Sequence, residues 1–301
     1  MSEADEQALY AEKFWTSADG LKLSYRDYPG PDLSEGAPIV CLPGLTRNAR
    51  DFEDLAEHLS ADRRVISFEM RGRGKSDYAP DPKTYAVPQY VEDLTGFLDD
   101  ADIARAVFVG TSLGGLVTMM LASRDPDRVA GAVLNDIGPV VERAGLMRIS
   151  GFVGQGRNYP TWMHAARALQ ESQGSLFPDW TIQDWLRAAK RVMVLGSGGR
   201  ISFDYDMRIA DAFGEDAEAG ISEAAVPPPA ALWAALAALA GRPVLVVRGE
   251  ASDILSATTA QAMADRLPDL ELVTIPRTGH APTLDEDVSR AAIARLLERV
   301  R

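Results

Sequence analysis

The sequence predicts an α/β fold, namely a doubly wound, mostly parallel, eight-stranded sheet with a helical cap inserted after strand six. Three observations predict the sheet. Six short runs rich in Val, Ile or Leu show little alternation, which is typical of strands buried on both faces. Segments with helical spacing lie between most of these runs. The Asp19-Gly20 pair, a strong turn signal, joins two further strand-like segments into a hairpin.

The predicted elements follow one another from the N-terminus. The hairpin consists of KFWTSADG and LKLSYRDY. The parallel strands are PIVCLPG, RVISFEM, AVFVGTS, VAGAVLND, RPVLVVRG and ELVTIPRTG. Helices are predicted for ARDFEDLAEHLS, VPQYVEDLTGFLDD, SLGGLVTMMLASRD, ATTAQAMADRL and DVSRAAIARLLERV, the last with apolar residues near helical spacing from Val288 to Val300.

One stretch, residues 139–228, breaks the alternation of strand and helix. It has no clear strand, and it is too long for a loop in a compact domain. Helical patterns recur in it, for instance TWMHAARALQ and IQDWLRAAKRVM. We therefore expect a helical cap at 139–228 over a core made of residues 1–138 and 229–301. The Pro227-Pro228-Pro229 run is expected to mark the return to the core.

Composition narrows the possible functions. The net charge of −13 argues against nucleic acid or an anionic membrane as a partner, because phosphate binding needs basic patches. The acidic N-terminus lacks the features of a signal peptide, so we expect a cytoplasmic protein. The single cysteine, Cys41, excludes an internal disulfide, and no metal-binding spacing is present. We expect a small-molecule substrate and no metal or cofactor, with monomer or homodimer left open.

The segment from Gly110 to Gly114 matches G-x-S-x-G, with Ser112 at its centre. It follows a predicted strand and opens a predicted helix, as a nucleophile elbow does. Only small neighbours avoid clashes around a serine in such a sharp turn. The turn also places the serine at a helix N-terminus, which favours negative charge. Ser112 is therefore the candidate nucleophile, and an idle serine in a glycine-rich turn is the alternative.

A serine needs a base to take its proton, and the base needs an acid that orients it. His280 directly follows the last predicted strand, where α/β active sites assemble, and we take it as the base. Asp253, which follows the seventh strand, is the preferred acid. Asp136, which follows the sixth strand, is the alternative acid. The structural role open to Asp136 is to cap the entrance to the insertion.

The oxyanion that forms during acyl transfer needs hydrogen-bond donors already in place. One donor is expected from the backbone N–H of Leu113, the residue after the nucleophile. The other is expected from the loop LPGLTRN, where Gly44 allows a close approach and the Leu45 N–H would point into the site. Both are backbone roles.

Taken together, these residues resemble the α/β-hydrolase superfamily over nearly the whole chain. The order Ser112, Asp253, His280 is similar to the Ser…Asp…His order of that superfamily. LPGL stands where His-Gly-x is frequent, EMRGRGKSD resembles D-x-R-G-x-G-x-S, and GHAPTLDED is similar to a common G-H-x-P ending. The insertion corresponds to the helical cap of the family. The departures are Pro43 and Glu69, which stand where His and Asp are frequent.

The resemblance implies hydrolysis of a small to medium apolar carboxylic ester through an acyl-enzyme. A serine nucleophile counts against epoxide opening and halide displacement, for which relatives use aspartate. The same triad also serves carbon–carbon bond hydrolases of meta-cleavage-type keto-acids, lactonases and perhydrolases. Ala281, where many carbon–carbon hydrolases have Trp, counts against the first of these. A non-catalytic ligand receptor is a further alternative, although such proteins often lose a member of the triad.

Overall fold

Eight strands form one sheet, in which six neighbouring strands run parallel and a hairpin lies antiparallel at one edge. A computed structural model describes residues 9–31, 36–213 and 226–300. In chain order the strands are β1 (Ala11–Thr16), β2 (Lys22–Tyr28), β3 (Ile39–Leu42), β4 (Val65–Phe68), β5 (Ala106–Thr111), β6 (Val129–Asn135), β7 (Asn158–Tyr159), β8 (Met193–Leu195), β9 (Ile201–Phe203), β10 (Val244–Gly249) and β11 (Leu270–Ile275). The order across the large sheet is β1-β2-β4-β3-β5-β6-β10-β11.

Nine α-helices lie in the part of the chain that the structure describes. They are α1 (Glu53–Leu59), α2 (Val87–Asp100), α3 (Leu113–Arg124), α4 (Arg143–Ser150), α5 (Trp162–Gln173), α6 (Ile182–Val192), α7 (Pro229–Ala237), α8 (Ala257–Arg266) and α9 (Asp287–Glu298). The predicted fold class is confirmed, and the hairpin and all six parallel strands overlap the predicted segments, with β1 and β11 beginning one or two residues earlier than predicted.

Alternate residues of the central strands pack on opposite faces of the sheet. In β3, Val40 and Leu42 join the apolar core beneath α2, α3, α7 and α8. The intervening Ile39 and Cys41 join a second core beneath α1 and α9. Both faces of β3 are therefore buried, which is why its sequence, IVCL, has no polar position.

Between β6 and β10, the chain forms an additional layer that contains α4, α5 and α6. This segment also carries a small sheet in the order β7-β9-β8, so the expectation that it holds no strand is wrong. Those strands have two or three residues each, too few for an alternating pattern to show in the sequence. The division into a core and a cap at 139–228 stays a prediction, and we use the word cap for this segment.

The tryptophans of the cap pack mainly within the cap. The Trp180 ring stacks on Phe177 with ring centres 4.3 Å apart, and Trp185 meets the Trp180 ring at 4.7 Å. Trp185 is buried, and the group forms its own apolar cluster with residues of α5 and α6. These rings also form a wall of the cavity described below.

Searching the described residues for a helix long and apolar enough to cross a lipid bilayer finds none. The cytoplasmic location stays a prediction.

Candidate active site

The candidate nucleophile lies in a strained turn between β5 and α3. Ser112 has φ 51° and ψ −114°, a conformation that non-glycine residues rarely adopt. A Cβ atom at Gly110 would lie 2.5 Å from Gly114 C, and one at Gly114 would lie 2.0 Å from Leu42 O. Gly110 therefore lets the start of α3 pack against the end of β5, and Gly114 lets α3 approach β3 closely. The turn has the shape expected of a nucleophile elbow.

Three side chains form a continuous hydrogen-bonded line. His280 Nε2 lies 3.0 Å from Ser112 Oγ, and His280 Nδ1 lies 2.8 Å from Asp136 Oδ2. The Asp136 carboxylate is fully buried and the His280 ring is 11% exposed, so bulk water reaches little of the line. The arrangement can remove a proton from the serine and stabilise the imidazolium that results.

The carboxylate that hydrogen-bonds His280 belongs to Asp136 and not to the preferred candidate, Asp253. Both carboxylate oxygens of Asp253 accept hydrogen bonds from Arg148 in the cap, at 2.5 and 2.8 Å. Burial alone would raise the pKa of Asp253, but the Arg148 hydrogen bonds and charge outweigh it and hold that pKa below its usual range. Gly145 N–H also donates to the Asp253 carbonyl oxygen at 3.0 Å. Asp253 therefore attaches α4 to the loop after β10.

Asp136 takes the position because of the strand order. β6 lies between β5 and β10, so a residue at its carboxyl end emerges beside Ser112. Asp136 is the first residue after β6 and has φ 55°. Gly249 N–H donates to its Oδ1 at 2.8 Å, and the Ser252 hydroxyl donates to its Oδ2 at 2.6 Å. With His280, these donors provide hydrogen bonds to a carboxylate that has no exposed surface.

Ser252 is a site residue that the sequence analysis missed. It stands next to Asp253 in the loop after β10 and donates to the same Asp136 oxygen that faces His280. The signal for it was weak, because a serine among GEASD shows no pattern of its own. Only the pairing of β6 with β10 reveals that the two loops meet.

Two backbone N–H groups near Ser112 are the candidate oxyanion donors. Leu113 is the first residue of α3, and Leu45 lies in the loop after β3. Neither N–H has a hydrogen-bond partner among the residues that the structure describes. A Cβ atom at Gly44 would lie 3.7 Å from Ser112 Cβ, so this loop closely approaches the serine. The pairing of Leu45 and Leu113 as oxyanion donors fits this geometry.

The comparison with known proteins decides the family. The sequence model of the family described as alpha/beta hydrolase fold matches residues 37–287. The chain belongs to this family. A solved structure of an alpha/beta hydrolase from Novosphingobium aromaticivorans is 60% identical in sequence and superposes with a TM-score of 0.90. The superposition covers 97% of this chain and 99% of the Novosphingobium chain.

Two curated relatives have more specific names. A 3-hydroxybutyrate-oligomer hydrolase of Cupriavidus necator is 34% identical over 276 residues, which is 91% of each chain. A 2-(acetamidomethylene)succinate hydrolase of Mesorhizobium japonicum is 28% identical over 250 residues, which is 83% of each chain. Both are hydrolases by name, and their substrates differ.

Two cavities meet at the serine of this α/β-hydrolase. Leu45, Ser112 and Ile149 line both of them. The first cavity, of about 210 Å³, is otherwise walled mainly by aliphatic and proline side chains, with the rings of Tyr85 and Tyr90. Such a wall suits a small apolar group of a substrate.

The second cavity, of about 130 Å³, is more polar. Its lining residues include Arg47, Arg148 and Arg191, each ion-paired with an aspartate, and the cap residues Phe177 and Trp180. Arg47 is 38% exposed, and its Nε pairs with Asp51 at 2.5 Å.

A search of the described part of the chain finds no group of three or more His, Cys, Asp or Glu side chains placed to hold a metal ion.

Proposed function

We propose that this α/β-hydrolase cleaves a carboxylic ester through an acyl-enzyme on Ser112. The observation that carries the proposal is the line Ser112–His280–Asp136, with separations of 3.0 and 2.8 Å. These contacts supply a nucleophile, a base and an acid in the geometry that acyl transfer needs.

The reaction follows from the contacts. His280 Nε2 takes the proton of the Ser112 hydroxyl as Oγ attacks the ester carbonyl carbon. The carbonyl oxygen becomes an oxyanion, which accepts hydrogen bonds from the N–H groups of Leu45 and Leu113. The carbon–oxygen bond to the alcohol breaks, and His280 protonates the alcohol as it leaves. Asp136 stabilises the imidazolium at each stage. A water molecule then attacks the acyl-enzyme with His280 as its base, which releases the carboxylic acid and restores the serine.

The substrate would place its acyl chain in the apolar cavity and its alcohol part in the polar one. The apolar cavity has room for a short chain, which agrees with a small to medium ester. The arginines of the other cavity are each ion-paired with an aspartate, but each guanidinium has five N–H donors, and those left over would suit an alcohol part that carries a carboxylate. An ester between two short hydroxy acids has both features. The name of the Cupriavidus necator relative, a 3-hydroxybutyrate-oligomer hydrolase, supports this choice.

The first test is hydrolysis of p-nitrophenyl acyl esters, from acetate to decanoate, by wild type and Ser112→Ala. Wild type is expected to turn over with an optimum at short chains, and the variant to lose activity while keeping its melting temperature. The dimer and trimer of 3-hydroxybutyrate are then compared with ethyl butyrate, which lacks the terminal carboxylate. A higher kcat/KM for the oligomers supports the hydroxy-acid assignment, and equal values would overturn it.

The alternatives give different results in the same assays. A wild type that reacts with a phosphonate at Ser112 but hydrolyses no ester would favour carbon–carbon cleavage of a dienoate keto-acid, or a lactone or perhydrolysis substrate. A serine that does not react with a phosphonate would favour a ligand receptor without catalysis.

A further inference from the structure

Arg73, in the loop after β4, is a buried arginine that touches the oxyanion loop. Its side chain has no exposed surface. Its Nε donates to the carbonyl oxygen of Leu45 at 2.8 Å. Its Nη1 donates to the Tyr90 hydroxyl at 2.7 Å and to the Arg71 carbonyl oxygen at 2.6 Å. Leu45 and Tyr90 both line the apolar cavity at Ser112, so Arg73 lies directly behind that wall.

The charge of Arg73 is not matched by a carboxylate. Among the residues that the structure describes, none places an Asp or Glu oxygen within 4.0 Å of it, and its Nη2 is buried with no hydrogen-bond partner. Its guanidinium carbon instead lies 5.0 Å from the centre of the Tyr90 ring. By contrast Arg71, also fully buried, pairs with Asp93 and with Asp19. A buried cation without a counter-ion is unfavourable for folding, which points to a functional use of the Arg73 charge.

The main chain of Arg73 is fixed independently of its side chain. It forms an isolated β-bridge with Tyr205 of the cap. On either side, Gly74 N–H donates to the Asp204 carbonyl oxygen at 3.0 Å, and Asp206 N–H donates to the Gly72 carbonyl oxygen at 2.8 Å. The side chain therefore extends from an anchored backbone to the Leu45 carbonyl.

We propose that Arg73 is a positioning residue that aligns the oxyanion loop, and that its unmatched charge favours the oxyanion itself. The proposal rests on the proposed ester hydrolysis. By holding the carbonyl of Leu45, the Nε donor fixes the orientation of that residue, so that its free N–H keeps facing the site. The charge lies in a buried region, where the attraction between a cation and a developing anion is stronger than in water.

The test compares Arg73→Met with Arg73→Lys and with a matched control, Arg26→Met. Arg26, on β2, is also largely buried, with its guanidinium 4.4 Å from the centre of the Tyr10 ring, and it lines neither cavity. Lysine at position 73 would keep the charge but lose the planar guanidinium group, whose Nε and Nη1 donate to Leu45 and Tyr90 at the same time. The substrate is p-nitrophenyl butyrate, and melting temperature reports folding.

Two readouts separate positioning from folding. The first is the split between kcat and KM. The second, called the ketone ratio, is the inhibition constant of a methyl ketone divided by that of the corresponding trifluoromethyl ketone, which forms an oxyanion adduct with serine. We expect Arg73→Met to lower kcat by roughly 10- to 100-fold, with KM within about threefold, and to reduce the ketone ratio by a similar factor. Arg73→Lys should lie between, and Arg26→Met should change neither readout.

The outcomes are distinguishable. A folded Arg73→Met that keeps the wild-type kcat and ketone ratio overturns the role of Arg73 and leaves the ester hydrolysis intact. If Arg73→Met does not fold, Arg73→Lys is judged by the same two readouts. A wild type that neither hydrolyses the ester nor binds the trifluoromethyl ketone more tightly than the methyl ketone overturns both proposals.

Discussion

Replacing Asp136 by asparagine is expected to abolish most of the ester hydrolysis, whereas the same change at Asp253 should leave it nearly unaltered. The two substitutions are matched, since each removes a carboxylate charge and keeps the shape of the side chain. They also test the two acids that the sequence offers. Only Asp136 touches His280, at 2.8 Å, and both oxygens of Asp253 are bound by Arg148.

The magnitude follows from the contacts of Asp136. An asparagine there can still accept the Gly249 N–H with its oxygen. Its NH₂ group would then face His280 Nδ1 and the Ser252 hydroxyl, where the carboxylate oxygen accepted from both. Donating to Nδ1 fixes the tautomer with a proton on Nε2, which cannot take the proton of Ser112. A tautomer error of this kind lowers kcat by roughly 10⁴-fold, or about 5 kcal/mol of barrier.

The effect of Asp253→Asn should appear in stability and not in turnover. Its ion pair with Arg148 is about one-quarter exposed, with side-chain exposures of 23% and 26%, so we expect a loss of less than about 1 kcal/mol. Because the pKa of Asp253 is lowered in the folded state, the pair contributes stability above the ordinary pKa of about 3.9, and this contribution is lost as pH falls through the lowered value. The variant should therefore show a weaker fall in melting temperature at acid pH.

The assay is kcat/KM on p-nitrophenyl butyrate for wild type and both variants, with melting temperatures from pH 3 to 8. A burst of p-nitrophenol in the first turnover reports acylation directly. If Asp136→Asn stays within tenfold of wild type while Asp253→Asn loses a thousandfold, the assignment of the acid from this geometry is refuted.

Three other perturbations have defined outcomes. In Gly279→Ala the new Cβ atom would lie 2.5 Å from Leu176 Cβ in the cap, so calorimetry should show that the free energy of unfolding falls by about 1–3 kcal/mol. An unchanged melting temperature would contradict this close approach. Burial raises the pKa of the Cys41 thiol, so a disulfide reagent at pH 8 should not react with the native protein and should react stoichiometrically in denaturant. Ser252→Ala removes one donor to Asp136 and should lower kcat by about tenfold, with Ser252→Thr as the control that keeps the hydroxyl.

The parts that could be predicted from the sequence are those set by local patterns. β3 and β5 are continuous apolar runs because both of their faces are covered, and this makes them recognisable without a partner. The turn at Ser112 is equally local, because its glycines are required within a few residues of the serine. His280 could be located because it follows the last strand of the sheet.

The acid could not be chosen in this way, because the choice depends on contacts between distant parts of the chain. β6 and β10 are neighbours, so Asp136 and Asp253 both follow strand ends on the same side of Ser112. What separates them is Arg148, which is 105 positions from Asp253 in the chain and belongs to the cap. No sequence pattern near Asp136 or Asp253 indicates that Arg148 pairs with Asp253. The strands of the cap were missed for a different reason, since a ladder of two or three residues has no periodicity.

The position of Asp136 bears on how proteins of this architecture can diverge. Ser112, His280 and Asp136 all lie outside residues 139–228. Another segment can therefore replace residues 139–228 without removing any of these three side chains. Asp136 directly follows β6, at the point where the chain leaves the sheet. A replacement segment must therefore begin after Asp136. It must also bring a cation for Asp253, or that carboxylate is left unpaired near His280 as a second acid. The strand order places Asp136 beside the histidine, and Arg148, a residue of the cap, keeps Asp253 occupied.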